Sequence, residues 1–142
     1  MKKIKINLSY GGVMPEYKTK GAACADCYAN TLDDLEIVKK GTRKTISLGF
    51  AIELPKGYEA IIRPRSGLTS KGIDIGIGTI DSDYRGEVKA CVINNSDTDF
   101  GISHGDRICQ IKIQKADKYK FVPVDKLSDT KRGSGGFGST GV

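Results

Sequence analysis

The sequence has no long run of apolar residues, no tryptophan and only one histidine. Without such a run, no segment is suited to crossing a membrane. The N-terminal stretch MKKIKINLSYGG alternates lysine with isoleucine, so it predicts a strand and not a signal peptide. We therefore expect a cytoplasmic protein without a membrane partner.

The few cysteines and the single histidine do not make a metal-ligand pattern. Cys24 and Cys27 form one C-x-x-C pair, but Cys91 and Cys109 stand alone and His104 lies beside a Gly-Asp turn. A structural zinc site would need a second paired set of ligands. A thioredoxin-like redox role would need a βαβ pattern around the pair. We expect small, half-buried thiols on strands.

Glycine and positive charge are what the chain has in excess. Its 142 residues predict one domain, and its 18 glycines, about twice the usual share, indicate many short elements joined by tight turns. This composition favours an all-β fold. The net charge of +6 indicates an anionic partner, which could be nucleic acid, a membrane surface or a phosphorylated small molecule.

Short stretches rich in β-branched residues recur between turn signals such as KKG, PKG and SHGD. This rhythm is typical of a jelly-roll-like distorted β-barrel or sandwich. We assign residues 1–127 to this core. Residues 128–142 are too rich in glycine and serine to order alone, so we assign them to a flexible C-terminal arm. The predicted strands are 4–8, 35–38, 45–54, 59–63, 73–80, 87–93 and 107–113.

The stretch RPRSGLTSKG predicts one short helix near residues 66–71. Ser66 is a good N-cap and Gly72 is a natural stop. The N–H groups of the first turn, beside Arg63 and Arg65, would make a site for an anion. The alternative is a capped surface turn with solvated arginines.

The stretch GTIDSDYRGE gathers Asp81, Asp83 and Glu87 directly after an apolar run. Taken alone, it is typical of a solvated acidic turn. A carboxylate within hydrogen-bond reach of a water molecule can also act as a general base. The residues themselves leave both interpretations open.

The glycine-rich tail imitates a phosphate-binding loop. Gly133 and Gly138 have the P-loop spacing, but Ser139 stands where the lysine is required, which excludes a Walker loop. Backbone N–H groups of such a segment can still bind phosphate, with Arg132 as an added donor. Phe137 has no core to join, and stacking on a base would give it a role.

Four motifs in this order, RPRSGL, GIGTIDSDYRGE, GDRICQIKI and RGSGGFGSTG, resemble those of the trimeric deoxyuridine triphosphate nucleotidohydrolases, the dUTPases. The first family motif, Ala-Gly-aromatic-Asp-Leu, appears as ACADC, which retains Asp26 but changes its neighbours. The resemblance implies a homotrimer with shared active sites and no direct nucleic-acid binding. It implies hydrolysis of dUTP to dUMP and pyrophosphate, which limits uracil incorporation into DNA and supplies dUMP for thymidylate synthesis.

The resemblance also implies roles for single residues. Asp81 would deprotonate the water that attacks the α-phosphorus, with Gln110 as the second catalytic residue, and Tyr84 would pack on the deoxyribose. Main-chain groups of the hairpin before Asp81 would read uracil, and Asp26 would hold Mg²⁺ through water. The implied substrate-binding residues are Arg65, Ser66, Gly67, Gly76, Ile77, Gly78, Ile80, Asp81, Tyr84, Gln110, Arg132, Gly136, Phe137, Gly138, Ser139 and Thr140.

Other functions fit the sequence less well. The deoxycytidine triphosphate deaminases of the same fold carry their catalytic glutamate where this chain has Cys91. A β-barrel that binds nucleic acid would need aromatic residues interleaved with basic ones. A second, regulatory role through protein contacts stays open.

Overall fold

The computed structural model describes residues 2–141, so Met1 and Val142, at the ends of the predicted core and arm, lie outside it. Almost all regular structure in these residues is β-strand, and no helix among them is long and apolar enough to cross a bilayer. The elements are β1 Lys5–Leu8, β2 Ala25–Tyr28, β3 Glu36–Val38, β4 Arg43–Ser47, β5 Phe50–Glu53, β6 Tyr58–Arg63, α1 Ser66–Thr69, β7 Ile73–Gly76, β8 Gly78–Ile80, β9 Lys89–Asn94, β10 Phe100–Ile102 and β11 Arg107–Lys115.

The strands pair antiparallel in four sheets. The larger two have the orders β2-β11-β6-β8 and β4-β9-β7, and the smaller two are β1-β5 and β10-β3. Alternate residues enter one common core, such as Ala60 and Ile62 of β6 and Ala90 and Val92 of β9. This alternation is expected where only one face of a sheet is buried. The predicted all-β, jelly-roll-like fold is confirmed.

Two predicted strands are each divided. The predicted strand 45–54 breaks where Gly49, with φ of 70°, turns the chain from β4 into β5. The predicted strand 73–80 breaks at Ile77, because β7 pairs with β9 while β8 pairs with β6. The predicted hairpin before Asp81 is therefore wrong, and this segment crosses between two sheets.

The sequence patterns missed β2 and β10. Strand β2 points the small residues Ala25 and Cys27 into the core, and they give a weak apolar signal. Cys27 and its cross-strand neighbour Cys109 are fully buried, whereas Cys24 and Cys91 are half-buried as predicted. A hydrogen bond with Cys109 and burial raise the pKa of the Cys27 thiol, so it stays protonated and unreactive.

The predicted helix is confirmed, but it is shorter than expected and begins differently. Arg65, not Ser66, is the N-cap, because the Arg65 carbonyl accepts the N–H groups of Leu68 and Thr69 at 3.0 Å. Ser66 is the first helical residue. The helix ends at Thr69 with Ser70 as its C-cap, before the predicted stop at Gly72, which has a φ of 82°.

The described chain has no strand or helix between the end of β11 at Lys115 and residue 141. Apolar side chains in this stretch lie in solvent, including Tyr119, Phe121 and Leu127. The boundary between core and arm at residue 127 stays a prediction, although the strands of the single chain end earlier.

Candidate active site

Three polar residues, Asp26, Arg63 and Gln110, lie side by side on the outer face of the four-stranded sheet. Gln110 of β11 is paired with Asp26 of β2 on one side and with Arg63 of β6 on the other. Because Ala25 and Cys27 point into the core, Asp26 between them points outwards. The register of β11 thus joins the ACADC motif to the motif that follows β6.

Two arginines contact the Asp26 carboxylate. Its Oδ1 lies 3.3 Å from Nε of Arg65, and its Oδ2 lies 3.3 Å from Nη1 of Arg107, with 15% of the Asp26 side chain exposed. Arg65 also donates from Nη1 to the Arg107 carbonyl at 2.8 Å, and Gln110 donates from Nε2 to the Pro64 carbonyl at 2.7 Å. The cluster is net cationic and can bind a phosphate group.

The start of α1 lies beside this cluster. Ser66 and Gly67 are exposed and follow Arg65 directly, and no other atom lies within 4 Å of the position that a Cβ on Gly67 would take. Their N–H groups belong to the first turn, where backbone donors lack partners inside the helix. The structure therefore brings Asp26, Arg65, Ser66, Gly67 and Gln110 into one patch.

Arg107 and Lys18 belong to the same surface, and sequence reasoning missed both. They line a cavity of about 460 Å³ together with Arg65, Tyr28 and Leu68. The motif GDRICQ contains Arg107, so its position was a usable signal. Nothing in the sequence pairs Lys18 with this site, because it lies in a loop before β2.

Asp81 directly follows β8 at the start of a tight turn. The Tyr84 N–H donates to the Asp81 carbonyl at 3.1 Å, and Arg85 donates to the carbonyls of Ser82 and Tyr84 at 2.8 and 2.9 Å. The Asp81 side chain is exposed and lines a cavity of about 880 Å³ that Asp83 and Arg85 also line. The segment is an acidic turn with an accessible carboxylate.

Glu87 has a structural partner. Its carboxylate accepts a hydrogen bond from the Ser47 hydroxyl, and Nζ of Lys89 lies 3.6 Å away. The Ser47 oxygen in turn accepts the N–H of Gly49 at 3.1 Å. These contacts tie the end of the Asp81 turn to β4, which agrees with a structural role for Glu87.

The segment expected to read uracil lies between the two sheets. Gly76 pairs with Cys91 of β9, Gly78 pairs with Ile62 of β6, and Ile77 between them is 75% exposed. Ile80 is buried in the core. Its side chain is therefore not available to a ligand, and only its main chain can contribute to a site.

One chain does not bring the two groups of site residues together. Arg63 pairs with Gln110 and is the last residue of β6. At the other end of this strand, Ile80 of β8 pairs with Ala60. Asp81 follows Ile80 and therefore lies near the start of β6. At about 3.3 Å per residue, the Asp81 end and the Arg63 end of β6 lie about 13 Å apart. The cationic patch and the acidic turn that begins at Asp81 thus lie at opposite ends of one strand.

The C-terminal arm forms turns of its own. Arg132 donates from Nε to the Gly135 carbonyl at 2.8 Å, and the N–H of Ser139 donates to the Gly136 carbonyl at 3.0 Å. Phe137 is fully exposed, with a φ of 50°. Within the described residues, the hydrogen bonds of this part of the arm stay within residues 130–141 and reach neither group. The arm residues predicted to bind substrate are Arg132, Gly136, Phe137, Gly138, Ser139 and Thr140.

Comparisons with known proteins agree on one family. The sequence model of the dUTPase family matches residues 11–141. The chain is 46% identical over 142 residues to the deoxyuridine 5'-triphosphate nucleotidohydrolase of Finegoldia magna, covering 98% of this chain and 99% of that protein. It is 48% identical over 138 residues to that of Treponema denticola, covering 95% of each.

Solved structures show the same fold. The dUTPase of Staphylococcus bacteriophage 80alpha with dUPNHPP superposes with a TM-score of 0.90 over 100% of both chains, at 24% identity. A mutant dUTPase of phage phi11 of S. aureus, described with a structural Mg(II) ion, has a TM-score of 0.80 over 90% of this chain and 100% of that chain, at 20% identity. With its sequence matched from residue 11 to residue 141, the chain belongs to the dUTPase family.

Proposed function

We propose that this protein is a dUTP diphosphatase, which hydrolyses dUTP to dUMP and pyrophosphate. The observation that carries the proposal is the convergence of Asp26, Arg65 and Gln110 on one cationic patch, from three motifs far apart in the sequence. The names of the bacterial relatives and the bound dUPNHPP of the phage enzyme agree with this substrate.

In the proposed reaction, the oxygen of a water molecule attacks the α-phosphorus, and the Asp81 carboxylate accepts a proton from that water molecule. The bond from the α-phosphorus to the bridging oxygen breaks, and pyrophosphate leaves. Arg65 and the N–H groups of Ser66 and Gly67 stabilise the charge on the phosphates, and Gln110 helps to position them. In phosphoryl transfer, positioning and electrostatic stabilisation supply most of the catalysis.

Base and sugar would be selected by the exposed segment around Ile77 and by Tyr84. A main-chain N–H that donates to O4 of uracil would face the amino group of cytosine if cytosine were bound instead. Two hydrogen-bond donors would then face each other, and both would be left unpaired. Glycine at positions 76 and 78 permits a close approach of the backbone. The Tyr84 ring on the deoxyribose would leave no room for a 2′-hydroxyl.

Mg²⁺ fits the cationic patch once the triphosphate is present. When bound, the ion neutralises charge on the leaving pyrophosphate. Asp26 is a single, partly exposed carboxylate, which suits an ion that keeps much of its water shell. Arg65 and Arg107 now contact that carboxylate, and the phosphates offer both guanidinium groups alternative partners.

We further propose a homotrimer in which neighbouring subunits complete each site. The separation of Asp81 from the cationic patch along β6 supports this arrangement, because one chain offers the two groups at opposite ends of a strand. The exposed apolar residues after β11, Phe121, Val122 and Leu127, also favour burial against another subunit.

Purified protein is expected to release pyrophosphate from dUTP with strong preference over dCTP, dTTP and UTP. A pocket that pairs its buried polar groups with uracil rejects the wrong base, because those groups are then left unpaired. The measurement is pyrophosphate release for each nucleotide, with and without Mg²⁺. Equal turnover of dUTP and dTTP would overturn the proposed specificity, and dCTP deamination would overturn the reaction.

Two inactive variants are expected to restore activity when they share a trimer. Asp81→Asn and Arg65→Ala each remove one half of the site, and subunits mixed at random would rebuild about a quarter of the wild-type sites if neighbours supply the two halves. The control is a chain that carries both substitutions, mixed with either single variant. Light scattering that reports an active monomer, or a mixture with no regained turnover, would refute the shared site.

A further inference from the structure

The phenol end of Tyr84 lies against Gly86. A Cβ on Gly86 would overlap Tyr84 Oη and would come within 2.5 Å of Cζ, closer than real Cβ contacts come. Packed atoms cannot overlap at these distances, so any residue other than glycine at position 86 would displace the ring. Hydrogen is the only substituent that this ring position allows.

The backbone of Gly86 does not require glycine for its own sake. Its φ lies outside the left-handed region, in which nine other glycines of the described chain are found. Alanine can therefore adopt the same backbone at position 86. The contact with Tyr84 is therefore the reason why an added Cβ at position 86 would force the ring to move.

The hydroxyl end of the ring is fixed to the main chain. Tyr84 Oη donates to the Glu87 carbonyl at 3.1 Å. Glu87 is itself held by the Ser47 hydroxyl, and the next residue, Val88, donates its N–H to the Phe50 carbonyl at 2.8 Å. The ring is thus placed relative to the core by Gly86 beneath it and by a hydrogen bond at its end.

We propose that Gly86 is a positioning residue that sets the Tyr84 ring and, through it, the preference for deoxyribose over ribose. The inference rests on the proposed dUTP hydrolysis, in which Tyr84 covers the sugar. A Cβ at position 86 moves the phenol end by about 1 Å to reach a normal contact distance, which opens space at the sugar and breaks the bond to Glu87.

The Gly86→Ala variant is expected to raise KM for dUTP and to lower the preference for dUTP over UTP, each about tenfold, because misplacing a substrate-positioning group by about 1 Å is costly. Gly21→Ala is the matched control, since Gly21 has an ordinary φ and no atom within 4 Å of its added Cβ. Thermal melting and light scattering of both variants check fold and assembly.

A Tyr84→Ala background separates positioning from a general structural effect. With the ring removed, Gly86→Ala is expected to change neither KM nor the dUTP/UTP ratio further, because the colliding atoms are gone. If Gly86→Ala weakens dUTP binding equally in both backgrounds, or keeps the wild-type dUTP/UTP ratio, the inference is overturned.

A readout without activity keeps this inference separate from the proposed function. In protein labelled with 3-fluorotyrosine, the ¹⁹F resonance assigned to Tyr84 through Tyr84→Phe is expected to shift in Gly86→Ala and not in Gly21→Ala. An unmoved resonance overturns the contact. If wild-type protein does not hydrolyse dUTP, the proposed function fails, and the resonance alone decides whether Gly86 positions the ring.

Discussion

Asp81→Asn is expected to keep the fold and the binding of dUTP while lowering turnover by about 10²- to 10⁴-fold, the usual contribution of a general base. The amide has the shape of the carboxylate but cannot accept the proton of the attacking water. The substitution should not disturb the structure, because within residues 2–141 the Asp81 side chain is exposed and takes part in no hydrogen bond or salt bridge. Steady-state turnover and calorimetric binding of a nonhydrolysable dUTP analogue measure the two effects separately.

Asp83→Asn is the matched control for this prediction. Asp83 is two residues away, is exposed and lines the same cavity. Its substitution by asparagine therefore removes one negative charge from the same place. We expect it to retain most of the activity. An Asp81→Asn protein that keeps more than about a tenth of wild-type turnover has not lost a general base. The role would then pass to another carboxylate, with Asp83 as the first candidate.

The fold could be predicted from sequence because its core strands carry β-branched residues at alternate positions. The same signal fails where a strand buries small residues, as β2 does with Ala25 and Cys27. It also fails where the chain changes sheets without a polar break. On both sides of Ile77 the strands bury isoleucines, Ile75 before it and Ile80 after it, so one continuous strand was predicted.

The motifs predict residues for the candidate site, although they missed Lys18 and Arg107, and they do not predict how the residues are arranged. Motif spacing does not reveal that Gln110 has Asp26 on one side and Arg63 on the other, because that depends on the register of β11. It also does not reveal that Asp81 lies at the other end of β6. These are long-range pairings, and local sequence patterns do not determine them.

The contact of Gly86 with Tyr84 is a third case. In the sequence, Gly86 is typical of a turn, and glycine there would normally be explained by a left-handed backbone. The structure gives a different physical reason, since φ is ordinary and the added Cβ would collide with a side chain two residues away. The sequence pattern predicts the turn, whereas the structure shows that the Tyr84 ring fills the space beside Gly86.

The C-terminal arm is expected to become ordered only when a triphosphate is bound. Its hydrogen bonds in the described structure are local turns, and Lys131 and Arg132 are both exposed to protease. We propose that Phe137 stacks over uracil while Arg132 contacts the γ-phosphate. A nonhydrolysable dUTP analogue should then protect the arm from trypsin at these two positions, and dUMP, which lacks the β- and γ-phosphates, should protect it poorly.

Removal of the arm after Thr130 is expected to leave an assembled trimer that still binds uracil nucleotides but hydrolyses dUTP at least about tenfold more slowly. The loss follows because closure holds the phosphates in the reactive geometry and excludes bulk water, while base and sugar are bound by other residues. The cut removes no core side chain, since the arm lies beyond β11 and its hydrogen bonds are internal. Turnover, nucleotide binding and light scattering on the truncated and full-length proteins test each part.

A Phe137→Ala variant of the full chain is the companion control, since it removes only the stacking contact and should lose less turnover than the truncation. Full activity without the arm would mean that Arg132 and Phe137 lie outside the site and that the core alone closes over the substrate.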